Sequence, residues 1–177
     1  MEILLVMAAV LSLLGFILKS SFYPRWGAFA ASLILAAFIM AAVPWLTRQS
    51  SSSFSTWSLN PDLILNGAVC IVVEVIIMTA FCYGRTAGRL RLLYYYPGLL
   101  AFPAAAWLLS QLLFSRPGID FKRFAWIAAV SVMILSLGGG RLAKRFIPEE
   151  DVRLESLFLI EMFLLLLAIA AAGAITF

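Results

Sequence analysis

The sequence predicts an all-α, polytopic integral membrane protein with about six transmembrane helices and no soluble domain, a single domain over residues 1–177. Three observations carry this. Of 177 residues, 64% are hydrophobic and only 12% are charged, and the mean hydropathy of +1.04 lies outside the range of soluble domains. The apolar residues fall into runs of roughly bilayer length, about 20 residues. The basic residues sit in the connections between those runs, which is how membrane topology is encoded.

The first apolar run, Ile3 to Leu18, has Glu2 before it and Lys19 and Arg25 after it, the reverse of a signal peptide's charge order. It reads as a retained first helix with its amino terminus outside. A second run, Trp26 to Leu46, ends in Pro44 and Trp45 and carries Gly27, Ala31, Ala37 and Ala41, small residues that permit close helix contact or are simply common in membrane helices. The long polar connection TRQSSSSFSTWSLNPD follows, with Asn60 and Pro61 placed as N-cap and first position of a third helix.

That third helix spans Leu63 to Tyr83 and carries a carboxylate, Glu74, near its middle. Asn66, Cys70, Glu74, Met78 and Cys82 recur at i, i+4 as a polar stripe, while Val69, Val72, Ile76 and Tyr83 form a hydrocarbon face. Cys70 and Cys82 lie about 18 Å apart along the axis, too far to bridge.

A fourth run begins at Tyr94, Tyr95, Tyr96 and Pro97 and ends near Phe114, with the tyrosines in an interfacial belt and Pro103 kinking the span. The fifth, Phe124 to Leu137, is short unless Gly138, Gly139 and Gly140 complete it. After RLAKRFIPEEDVRLE a sixth helix runs toward Phe177, with Glu149, Glu150 and Asp151 matching its N-terminal dipole.

Lys19, Arg25, Arg85, Arg89, Arg91, Arg141, Lys144, Arg145 and Arg153 fall on one side of this layout, nine of the thirteen basic residues. That side is cytoplasmic by the positive-inside rule, which places both termini outside a bacterial inner membrane. The net charge of +4 is dispersed over loops, so nucleic acid is not an expected partner; the lipid bilayer and other membrane subunits are. The basic loops, Arg85, Arg89, Arg91, Arg141, Lys144 and Arg145, serve as topology determinants or as docking sites for anionic headgroups or an acidic partner.

Glu74 is the foremost site candidate, because an ionised carboxylate in hydrocarbon is costly and must pair, meet water or take up a proton. It reads either as a proton- or cation-handling group, with Asn66 and Thr79 as neighbours, or as a hydrogen-bonded tie to another helix or subunit. Spans of this layout contain no Lys or Arg, so its cationic partner must come from a loop or another protein. Glu161 is the second intramembrane acid, an interfacial ion-pair partner for Arg85 or Arg89 or part of a relay. Cys70, Ala168, Ala172 and Gly173 are candidate helix contacts.

Histidine is absent, and with it the commonest metal ligand, general base and haem ligand, so neither metal nor cofactor is expected. HExxH, CxxC and GxSxG are absent too. Asp62 and Asp120 are the remaining pair for an aspartyl dyad, and both stand where helix caps are common.

The nine residues VVEVIIMTA around Glu74 resemble the glutamate-bearing helix of small proton-channel subunits in complex I-like assemblies, which implies proton handling. No other motif of that family accompanies them. The chain length and expected helix count are similar to the substrate-binding subunits of energy-coupling-factor vitamin transporters, which keep both termini in the cytoplasm, opposite to the charge distribution here. The expected function is a non-enzymatic integral-membrane subunit of a multi-protein complex, an accessory of proton- or ion-driven transport or uptake. The alternative is a self-sufficient small-molecule or ion transporter with Glu74, Asn66 and Pro103 along its pathway; a membrane enzyme ranks third.

Overall fold

The structure, a computed structural model, describes residues 2–48, 61–83, 96–115 and 120–176. These form six helices, with no strand among the described residues: α1 (Glu2–Ser20), α2 (Arg25–Leu46), α3 (Pro61–Tyr83), α4 (Ala101–Phe114), α5 (Phe121–Phe146) and α6 (Glu150–Thr176). Four of them, α1, α2, α5 and α6, are long and apolar enough to cross a membrane; the described apolar part of α3, Asn66–Phe81, and the whole of α4 are shorter.

Helix α1 is the central element. It packs on α4, α5 and α6 and barely touches α2, while α2 lies across α5 and α4, and α3 lies along α6. Two glycines allow α1 and α5 to approach closely. A Cβ at Gly139 would collide with the Ile17 side chain, and one at Gly140 would collide with Ser20 Oγ. Hydroxyls line the approach: Ser20 Oγ shares its proton between the Ile17 carbonyl of its own helix at 2.7 Å and the Ser136 carbonyl at 3.2 Å, and Ser136 Oγ pairs with Ser32 Oγ of α2 at 2.8 Å. The larger apolar core joins these elements through Phe16, Leu35, Ile39, Ala105, Leu109 and Ala129 among others. The outward faces are also apolar, as at Ile76, Ile127 and Leu166, each more than half exposed.

The ends of α1 and α5 and the start of α6 share one end of the bundle, since Ser20 abuts Gly140 and the Arg153 guanidinium lies 5.4 Å from the Phe22 ring centroid. Arg153 Nη1 donates to the Ile147 and Pro148 carbonyls at 2.6 and 3.0 Å, fastening the α5–α6 turn. A cation counted as a topology charge is thus used as a helix C-terminal cap.

One expectation needs correction, and two readings left open are decided. The fourth run does not become a kinked span: α4 begins at Ala101 and has 14 residues, about 21 Å. Pro103 falls in its first turn, where a missing N–H costs nothing because the first amides have no intrahelical acceptor. The fifth helix is completed by Gly138, Gly139 and Gly140, as its short apolar run required, and reaches 26 residues. In α2, Ala31 is buried but Ala37 and Ala41 face outward, and the packed stripe runs instead through Ser32, Leu35, Ala36, Ile39 and Val43. At the start of α3, Pro61 does occupy the first position.

Candidate functional site

Three helices and the segment preceding α4 bring ionisable side chains together in the interior. Helix α3 supplies Glu74, 4% exposed, α1 supplies Lys19, fully buried, and α6 supplies Glu161, 3% exposed. The apolar wall around them includes Leu18, Phe22, Met78, Phe81 and Leu157.

Glu74 is positioned by a break in the chain. Gly98 has φ +86°, a conformation that an L side chain resists, and a Cβ there would lie 3.0 Å from Glu74 Oε1. The turn delivers the start of α4 to the carboxylate: Glu74 Oε2 accepts the Leu100 N–H at 2.9 Å and the Tyr96 hydroxyl at 3.3 Å. Leu100 is the N-cap residue of α4 and has no side-chain acceptor to offer. Glu74 therefore supplies, from another helix, the negative cap that the N-terminal amides and dipole of α4 favour. Tyr96 is itself held at both ends, its hydroxyl accepting the Leu99 N–H at 3.3 Å and its carbonyl accepting the Tyr23 hydroxyl at 2.6 Å.

Lys19 lies in the last turn of α1. Its Nζ is 4.7 Å from the Tyr96 ring centroid, 5.0 Å from that of Phe81 and 3.2 Å from Met78 Sδ. Aromatic faces and a thioether thus replace part of the ammonium's hydration, and its charge acts on both Glu74 and Glu161. Glu161 is held less closely. Its Oε2 is buried without a hydrogen-bond partner among the described residues, and it lies beside Gly15, whose added Cβ would be 3.6 Å from Glu161 Oε1. The two carboxylates also act on each other.

Lys19 is thus a cation of this chain, inside a helix, whose charge reaches Glu74, where the layout placed no Lys or Arg within a span. Lys19 directly follows the apolar run, and the next helix breaker is Pro24, so helical continuity was the signal that would have found it. Arg85, Arg89 and Arg91 lie outside the described residues; Arg141, Lys144 and Arg145 are exposed on the last turns of α5. Asn66 and Cys70 are exposed, so the polar stripe of α3 divides between an outward part and the buried part at Glu74 and Met78. Asn66 precedes Glu74 by two turns, about 12 Å along the axis, and the donors to Glu74 are instead Tyr96 and Leu100.

On α6, Ala168 is buried and Gly173 is partly so; the Ala172 side chain lies outside the described residues. Asp120 caps α5, accepting the Lys122 N–H at 3.0 Å, while the Asp62 side chain lies outside the described residues. Among the described residues no group of three or more His, Cys, Asp or Glu is placed to hold a metal ion. No family model, curated protein or solved structure matches this chain.

Proposed function

We propose that this chain is a polytopic integral membrane protein, a non-enzymatic subunit of a larger inner-membrane assembly, in which the Lys19, Glu74 and Glu161 cluster handles protons or ions. The observation that carries the reading is the burial of two carboxylates and an ammonium that acts on both of them, beside the apolar cluster of Leu18, Phe22, Met78, Phe81 and Leu157. Such groups are costly in hydrocarbon and mark ion or proton pathways more often than other intramembrane residues do. The apolar outer faces support membrane embedding, and Arg25, Arg141, Lys144 and Arg145 gather at one end, which suits a cytoplasmic side with both termini opposite.

Extraction from native membranes in mild detergent, followed by mass analysis, tests the subunit reading. Stoichiometric membrane partners are expected, and Glu161→Gln should leave them bound while reducing the assembly's ion-driven activity. A chain that purifies alone and transports in proteoliposomes overturns it. That outcome belongs to the second reading, a self-sufficient transporter, which is favoured by one feature: α4 starts beside Glu74, midway along α3, as interrupted helices do at transporter binding sites.

A further inference from the structure

From the contrast between its two carboxylates, we infer that the cluster is a site for one exchangeable proton and that Glu161 is the residue that carries it, Glu74 being the fixed counter-ion of Lys19. The inference deepens the ion-handling reading by naming the ion and the side chain. The formal charges come first. Among the described residues Lys19 is the one cation that acts on both carboxylates. Arg153, also buried, lies about two turns before Glu161 on α6 and is engaged by the Ile147 and Pro148 carbonyls. The two carboxylates and the ammonium therefore leave a local deficit of one positive charge, which an apolar interior meets with a bound cation.

A proton fits better than a metal ion. Hard cations such as calcium take six or more oxygens, and the described residues place no cluster of three or more acidic or sulfur ligands together. The ammonium of Lys19 also acts on both carboxylates and opposes a second full cation between them.

The geometry then assigns the proton. Glu74 Oε2 receives a backbone N–H and a phenolic hydroxyl, and donors converging on an ionised carboxylate make hydrogen bonds about twice as strong as neutral ones. The N-terminal dipole of α4 favours the same anion. Glu161 Oε2 has no donor among the described residues; as an anionic oxygen it would be stripped of water with nothing in its place. Of the described groups, those that act on Glu161 are Lys19 from α1, Glu74 from α3 and Tyr96 from the segment before α4. On α6 itself the nearest acid, Glu155, faces outward, and Arg153, about two turns before, donates to the Ile147 and Pro148 carbonyls.

Infrared spectroscopy of the full chain in lipid at neutral pH reads this directly, through the carbonyl stretch of a protonated carboxylic acid. One such band is expected in the unmodified protein. It should shift in Glu161→Asp, disappear in Glu161→Gln and hold its position in Glu74→Asp. In Lys19→Met, which widens the deficit to two charges, its intensity should roughly double. Absence of the band in the unmodified protein, or a band that follows Glu74→Asp and ignores both changes at Glu161, overturns the proposal. The readout needs no partner or transport activity. A Glu161 band in a chain that purifies alone would retire the subunit reading and leave this one standing.

Discussion

Lys19 and Ser20 are adjacent on α1 yet enter two different kinds of joint. Ser20 turns to α5, where glycines bring the backbones together and Ser20 meets the Ser136 carbonyl, while the Ser136 hydroxyl pairs with Ser32 of α2. Lys19 turns to α3 and α6, where formal charges are buried. The serine joint is neutral, each hydroxyl has an acceptor, and losing one member leaves little behind. The charged joint is different in kind, because removing one charge strands the others. One helix end thus combines a tolerant contact with an intolerant one, and the two should respond very differently to substitution.

The largest effect should come from Lys19→Met, which keeps the side-chain volume but leaves the Glu74 carboxylate to be buried without its ammonium or to take up a proton there. Breaking a buried ion pair costs about 3–5 kcal/mol, so a large fall in apparent melting temperature in detergent is expected. A fall no larger than that of a serine variant would erase the contrast between the joints. Next is Gly140→Ala, whose Cβ meets Ser20 Oγ and lies 3.4 Å from the Ser20 and Ser21 backbones. Overpacking of this sort costs about 1–3 kcal/mol. The neighbouring Gly138→Ala meets nothing within 4 Å and should be neutral or stabilising by up to about 1 kcal/mol; equal losses at both positions would remove the close α1–α5 approach from the account.

Gly98→Ala should cost about 1–2 kcal/mol from its left-handed backbone, and its Cβ presses on Glu74 Oε1 at 3.0 Å. The same substitution paired with Glu74→Gln is expected to be less than additive, which a thermal-stability cycle measures. The smallest effect belongs to the serines. A double-mutant cycle of Ser32→Ala and Ser136→Ala should give a coupling near 0.6 kcal/mol, the average for hydrogen bonds between membrane helices.

The helical class, the start of α3 at Pro61 and the oddity of Glu74 and Glu161 were legible in the sequence, because apolar runs, prolines and isolated acids are local signals. The partner of Glu74 was not, because Lys19 stands at the edge of an apolar run. A charge there reads as a loop marker unless the helix is continued past it, and only packing shows that the last turn of α1 is enclosed by Met78, Phe81 and Tyr96. The start of α4 was hidden for a related reason. Residues 94–114 read as one apolar stretch, although Pro97 and Gly98 together are a turn signal that placed the break before Ala101 rather than at Pro103. Of the three glycines of α5, Gly139 and Gly140 form the contact surface for α1, which the sequence alone does not reveal.

The claim on which all this turns is that Lys19, Glu74 and Glu161 form one electrostatic unit. Comparing the melting temperature of Lys19→Met with that of the triple variant Lys19→Met, Glu74→Gln, Glu161→Gln tests it most directly. Neutralising both acids along with the lysine removes the stranded Glu74 carboxylate and the need for a bound proton, so the triple variant is predicted to recover most of the stability lost by the single one. A triple variant that is less stable than Lys19→Met, with the three losses simply adding, would contradict it.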